Sequence, residues 1–146
     1  MPTYTLHAPA GRLNDVQKAE LAREITHAHS EATGAQTFFA QVLFVDVAPE
    51  NWFVGGAAAG APQIFLHGQV RAGRPPELKR ALLLRLVEIL SNVSILPRSH
   101  VWVYLSELPA SQMAEFGHVL PEPGGEAAWL DSLPDGDRAL MQSIAS

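Results

Sequence analysis

The chain has 146 residues, 47% of them apolar, a formal charge of -5 at pH 7 and no cysteine. That length gives one domain with a real core, and an acidic balance without any Lys/Arg run excludes phosphate-backbone binding as the main activity. Without cysteine there is no disulfide, thiolate nucleophile or Cys-based metal site; with no signal peptide or membrane-length apolar span either, a cytoplasmic protein that buries surface against its own copies is expected.

The chain opens Met1-Pro2. Removal of Met1 would leave a secondary amine whose reference pKa, about 7.7–8.0, lets burial or a neighbouring charge make it a base or an acid. The proline ring fixes φ, so the first strand rather than a flexible side chain aims the nitrogen. Residues 2–7 read as that strand. Asn14 or Asp15 then caps a helix running to about Ser30, with Val16, Leu21, Ala22, Ile25 and Ala28 at near-helical spacing. Thr33-Gly34 breaks it, 39–47 is a second strand, and 49–56 is a turn able to carry a short hairpin arm.

The second half repeats this order: a strand over 63–69, a helix opened by Pro75-Pro76 and running to about Ser91, a strand over 101–105, and a turn at Pro109. Pro2 and Pro62, His7 and His67, and Pro49 and Pro109 are each sixty positions apart, and Leu21 and Ile25 match Leu82 and Leu86 within one residue of that offset. An internal duplication of a β-α-β unit follows, with halves at 2–61 and 62–118 and a tail over 119–146 in a single domain. Right-handed crossovers predict an α/β (α+β) fold, a four-stranded sheet with two helices on one face. The bare face is expected to meet other copies of the chain, or else the tail. The tail is rich in Pro, Gly and acid, with a short helix expected at its end, over 135–144.

Arg71 and Arg74 stand between the third strand and the second helix. Two guanidiniums near a helix start suit an anion, but taken alone they read first as solvated surface charges. His29 lies late on the first helix, where the dipole favours a cation; His27 points elsewhere, so the two form no helical metal pair, and no metal site is expected. Tyr104, on the fourth strand with Trp102, reads as a core tyrosine, and Glu115 as either a buried carboxyl or a surface acid.

Together these positions resemble the tautomerase superfamily, most closely the cis-3-chloroacrylic acid dehalogenase family, over nearly the whole chain. The matching residues are Pro2, His29 in Ile-Thr-His-Ala-His, Arg71 and Arg74 in Val-Arg-Ala-Gly-Arg, Tyr104 in Val-Trp-Val-Tyr, and Glu115 in Met-Ala-Glu-Phe-Gly. The resemblance implies a cofactor-free enzyme, a homotrimer acting on a small carboxylate. Arg71, Arg74 and His29 would hold the carboxylate, Glu115 with Tyr104 would activate water, and cationic Pro2 would be the acid. It also implies tautomerase activity on 2-oxo acids such as phenylpyruvate, and a tail that reaches across the trimer. Ala35 and Thr37 depart from the pattern of the efficient dehalogenases. A carboxylate-binding trimer without catalysis is the remaining alternative.

Overall fold

Alternation sets the sheet: in β1 (Thr3–Pro9), Tyr4, Leu6 and Ala8 are buried, whereas Thr3, Thr5 and His7 are half-buried. The computed structural model describes residues 2–144, and the expected removal of Met1 lies outside the described residues. α1 (Asp15–Thr33) starts at Asn14, whose side chain accepts from Gln17 N at 2.8 Å while Gln17 Oε1 accepts from Asn14 N at 3.1 Å. This reciprocal cap satisfies two orphan donors. The helix outlasts its expected end at Ser30 and closes on Gly34, at φ 71, whose N–H donates to Ser30 O. After β2 (Gln41–Val47), a short arm follows, β3 (Phe53–Val54) and β4 (Ala57–Ala58) around Gly55-Gly56.

The same sequence of elements recurs in β5 (Ile64–Arg71), α2 (Pro76–Ser94), β6 (Val101–Leu108) and the arm β7 (Ala114–Glu115) and β8 (His118–Val119). Both helices have 19 residues and lie sixty-one positions apart. The serine bonds that close them, Ser30 Oγ to Ala35 O and Ser91 Oγ to Leu96 O, keep that offset. So do the bonds that close the arms, Ala59 N to Trp52 O and Leu120 N to Met113 O, both 2.9 Å.

The sheet order is β2-β1-β5-β6, parallel within each half and antiparallel where β1 meets β5, with Leu6 opposite Leu66. Leu21, Ile25, Leu82, Leu86 and Leu90 pack both helices onto one face. On the other face Leu43, Val45, Trp102 and Tyr104 stay exposed, Tyr104 at 54%. Tyr104 is therefore no core residue of the chain, contrary to the sequence reading.

The tail does not lie on that face. Its α3 (Glu126–Ser132), unanticipated from sequence, and α4 (Asp135–Ile144), at the expected place, build a second core in which Leu133 and Met141 meet Phe38, Phe39, Ala110 and Leu120. No helix among the described residues is long and apolar enough to cross a membrane.

Candidate active site

Pro2 is fully buried and lies on the helix side of the sheet with Tyr4 and Leu6. Its carbonyl accepts from Gln41 N at 3.0 Å, which ties it to β2. The pairing of Thr3 with Gln69 brings Pro2, one residue earlier, to the end of the sheet where β5 finishes.

Tyr4 carries this end of β1 to α1: its hydroxyl lies 2.8 Å from His29 Nδ1, with the two rings edge to face at 5.8 Å. Gly68, paired with Tyr4 on one side and Leu105 on the other, leaves space for that ring. A Cβ at position 68 would sit 2.5 Å from Tyr4 Cε1 and 2.8 Å from Leu105 Cδ2. Burial pushes the Tyr4 hydroxyl above its ordinary value. Burial first, then the chain's amino-terminal charge, Arg74 and Arg71, lower His29 to about 4. His29 is thus neutral at pH 7, and the cation expected from the helix dipole does not form, because burial outweighs a contribution of about 0.3–1 kcal/mol.

Arg71 is 3% exposed, so it is not the solvated charge that sequence left open. Its Nη1 donates to Pro121 O at 2.6 Å, and its Nη2 pairs with Glu126 of the tail. Its Nε is buried and has no hydrogen-bond partner among the described residues. Arg74 stands half-buried across the turn; desolvation and repulsion from Arg71 lower its pKa, and Glu126 opposes them. His29, Arg71 and Arg74 line one crevice with about 10 Å³ of free volume.

Glu115, half-buried on β7, opens onto a neighbouring cleft of about 480 Å³ that reaches Thr3, Gln41, Phe38, Phe39 and Phe116. Thr3 follows Pro2, so the cleft begins beside the amino-terminal end of the sheet. Phe116 keeps the cleft's arm turned tightly at φ 52, with Gly117 at φ 83, and meets Phe38 edge to face. Tyr104 is not gathered with these residues. It pairs with His67 in the middle of the sheet, faces Phe65 at 5.1 Å and lines a separate groove of about 380 Å³ with His7, Trp52 and Trp102.

Sequence reasoning missed Tyr4, Gly68, Phe116 and Glu126. A glycine inside a strand pattern was the one available sign of Gly68, since it marks a close approach. Glu126 was visible only as one of several acids in the tail.

Known proteins extend these observations. A family model described as "Putative oxalocrotonate tautomerase enzyme" matches residues 1–132. Among solved structures, N1, a member of the cis-3-chloroacrylic acid dehalogenase family, is 31% identical with a TM-score of 0.93, covering 97% of this chain and 99% of its own. A native fused 4-OT is 30% identical with a TM-score of 0.70, covering 80% of this chain and 94% of its own. A fused 4-OT symmetric trimer, 23% identical with a TM-score of 0.76 over 85% of this chain and 99% of its own, shares the fold. No curated protein sequence matches the chain. With the family model running through both β-α-β halves and into α3, and N1 superimposing on nearly every residue, the chain belongs to the tautomerase superfamily and is similar to its cis-3-chloroacrylic acid dehalogenase members.

Proposed function

We propose that the protein is a cofactor-free hydratase that dehalogenates cis-3-haloacrylates, giving malonate semialdehyde and halide. The observation that carries this reading is the crevice shared by His29, Arg71 and Arg74 at the end of β5, where the pairing of Thr3 with Gln69 brings the start of β1, beside the cleft onto which Glu115 opens. The arginines draw electron density from the double bond toward the carboxylate and make C3 electrophilic. In this reading the Tyr4 hydroxyl, 2.8 Å from Nδ1 of neutral His29, donates to it, which leaves the imidazole proton on Nε2 to donate to the carboxylate. Glu115 takes a proton from water as the water oxygen bonds to C3, and cationic Pro2 gives its proton to C2. The resulting halohydrin expels halide and leaves the aldehyde.

Tyr104 assists Glu115 from the uncovered sheet face, so a neighbouring protomer of a homotrimer supplies it. The fused 4-OT symmetric trimer and the exposed Leu43, Val45 and Trp102 favour that assembly. A second reading, keto–enol tautomerisation of an aryl 2-oxo acid such as phenylpyruvate, with ketonisation of its enol as the measured direction, is favoured by the size of the cleft and by its Phe38, Phe39 and Phe116 walls.

Comparing kcat/KM for cis- and trans-3-chloroacrylate and for phenylpyruvate separates the two. Fast halide release from the cis acid alone supports the dehalogenase, and brisk ketonisation with negligible halide supports the tautomerase. Pro2→Ala should cut either turnover by about a hundredfold or more while carboxylate binding survives. Equal turnover would end the proline mechanism, and no turnover by either protein would leave a carboxylate-binding trimer without catalysis.

A further inference from the structure

The guanidinium assigned above to the substrate's carboxylate already holds one. Arg71 gives Nη2 to the Glu126 carboxylate and Nη1 to Pro121 O, and the other Glu126 oxygen accepts from Gly124 N at 2.8 Å. The loop that carries these groups is seated on the turn between β5 and α2. Gly73 there has φ 105, and a Cβ at that position would meet Pro123 Cγ at 3.1 Å. What remains between His29, Arg71 and Arg74 is about 10 Å³, room for a single water and too little for a carboxylate. Burial works to raise the Glu126 carboxyl, yet the Arg71 hydrogen bond and charge, with the Gly124 and Glu126 amides, hold it below the ordinary carboxylate range. Glu126 is therefore ionised at neutral pH.

We propose that Glu126 is an internal competitor that sets the affinity of the anion site: it occupies Arg71 in the free protein, and a monocarboxylate ligand binds by displacing it and lifting the segment 121–126. This rests on the reading of Arg71 and Arg74 as the carboxylate anchor. The buried Nε of Arg71 fits the same picture, because the ligand replaces the tail as partner for a guanidinium that the tail satisfies at only two of its three nitrogens. Selectivity follows as well. A ligand must outcompete a tethered carboxylate, so acids with a second point of attachment, in the cleft beside Glu115, are retained over bare small anions.

The test is calorimetric titration of the wild type, Glu126→Gln and Glu122→Gln with propanoate, an inert monocarboxylate. Glu122 is an exposed acid of the same loop whose change removes the same formal charge. Propanoate should bind Glu126→Gln about tenfold more tightly than the wild type, with Glu122→Gln unchanged. Hydrogen exchange at 121–126 in the wild type should speed up on propanoate addition, against the general slowing that a ligand brings to a protein of fixed conformation. Equal or weaker binding by Glu126→Gln, in a variant whose thermal unfolding matches the wild type, would make Glu126 a mere orienter of Arg71 and overturn the proposal. An equal gain in Glu122→Gln would reduce it to bulk charge and overturn it too. Propanoate binding by none of the three proteins, or unchanged binding in Arg71→Ala, would instead overturn the assignment of the anion site itself.

Discussion

His29 holds the most perturbed base of the site, and the perturbation has a sign that can be worked out. Its value in the unfolded chain is near the ordinary 6.5, and in the folded chain it is about 4. Between those values the unfolded state binds more protons than the native state, so the folded form is favoured above pH 6.5 and loses that advantage as the pH falls toward 4. The whole effect is on the order of 3 kcal/mol for a shift of this size. Thermal unfolding measured from pH 7 to 4 should therefore show a steeper loss of Tm in the wild type than in His29→Gln, whose amide can still accept the Tyr4 O–H but does not titrate. Parallel curves would mean that His29 charges inside the fold without penalty. The consequence for the site is that its positive potential comes from the amino-terminal charge, Arg74 and Arg71, with His29 neutral.

At the level of elements, His29 is held where it is by a packing relation between three strands and a helix. Tyr4 of β1 crosses Gly68 of β5, and its hydroxyl ends on α1, while Leu105 of β6 closes the other side of the glycine. Gly68→Ala drives a methyl into the Tyr4 ring and Leu105, an overpacking that costs about 1–3 kcal/mol. The variant should unfold at a lower temperature, and relief should come from Leu105→Ala in the same chain, which clears one of the two clashes. No rescue by the second change would place the damage in the backbone instead. Much of this element-scale order was legible in the sequence, because the strand over 2–7 and the spacing of Leu21, Ile25 and Ala28 match buried positions, whereas Val16 of the same series is exposed in the first turn of α1. The helix ends were legible in part, since Thr33-Gly34 was read as the break after the first helix and Gly34 is its cap. Each runs three residues past its expected stop, and α2 closes on Ile95 at φ 55, a conformation that an isoleucine gives no reason to expect. The link between Arg71 and Glu126 spans 55 positions, and no local pattern encodes such a pairing; only the need of a buried arginine for a counter-charge points to it. In the tail, Pro and Gly at 121–125 hid the start of α3, because residues that break helices also stand just ahead of them.

In the whole molecule, the residues proposed for catalysis fall in two places. Pro2, the crevice of His29, Arg71 and Arg74 and the Glu115 cleft lie at the end of the sheet where β1 begins, whereas Tyr104 sits mid-strand on the face that neither the helices nor the tail covers. Exposed Leu43, Val45 and Trp102 give that face a reason to be buried against another copy, and Tyr104 is carried into the same contact. If the site is completed across that contact, two defective chains can repair each other. Pro2→Ala supplies an intact Tyr104 and Tyr104→Phe an intact Pro2, so co-expression in equal amounts should place both groups together in about a quarter of the sites of a random trimer. Activity of that order from two variants that are each nearly inactive alone would establish a shared site. If Tyr104 acts within its own chain, every site of the mixture carries one defect and the mixture stays inactive. Trp102→Glu offers an independent check, since a charge on the uncovered face should shift the protein toward a monomer in sedimentation and lower turnover in proportion, without disturbing the fold that each chain builds from its own two halves.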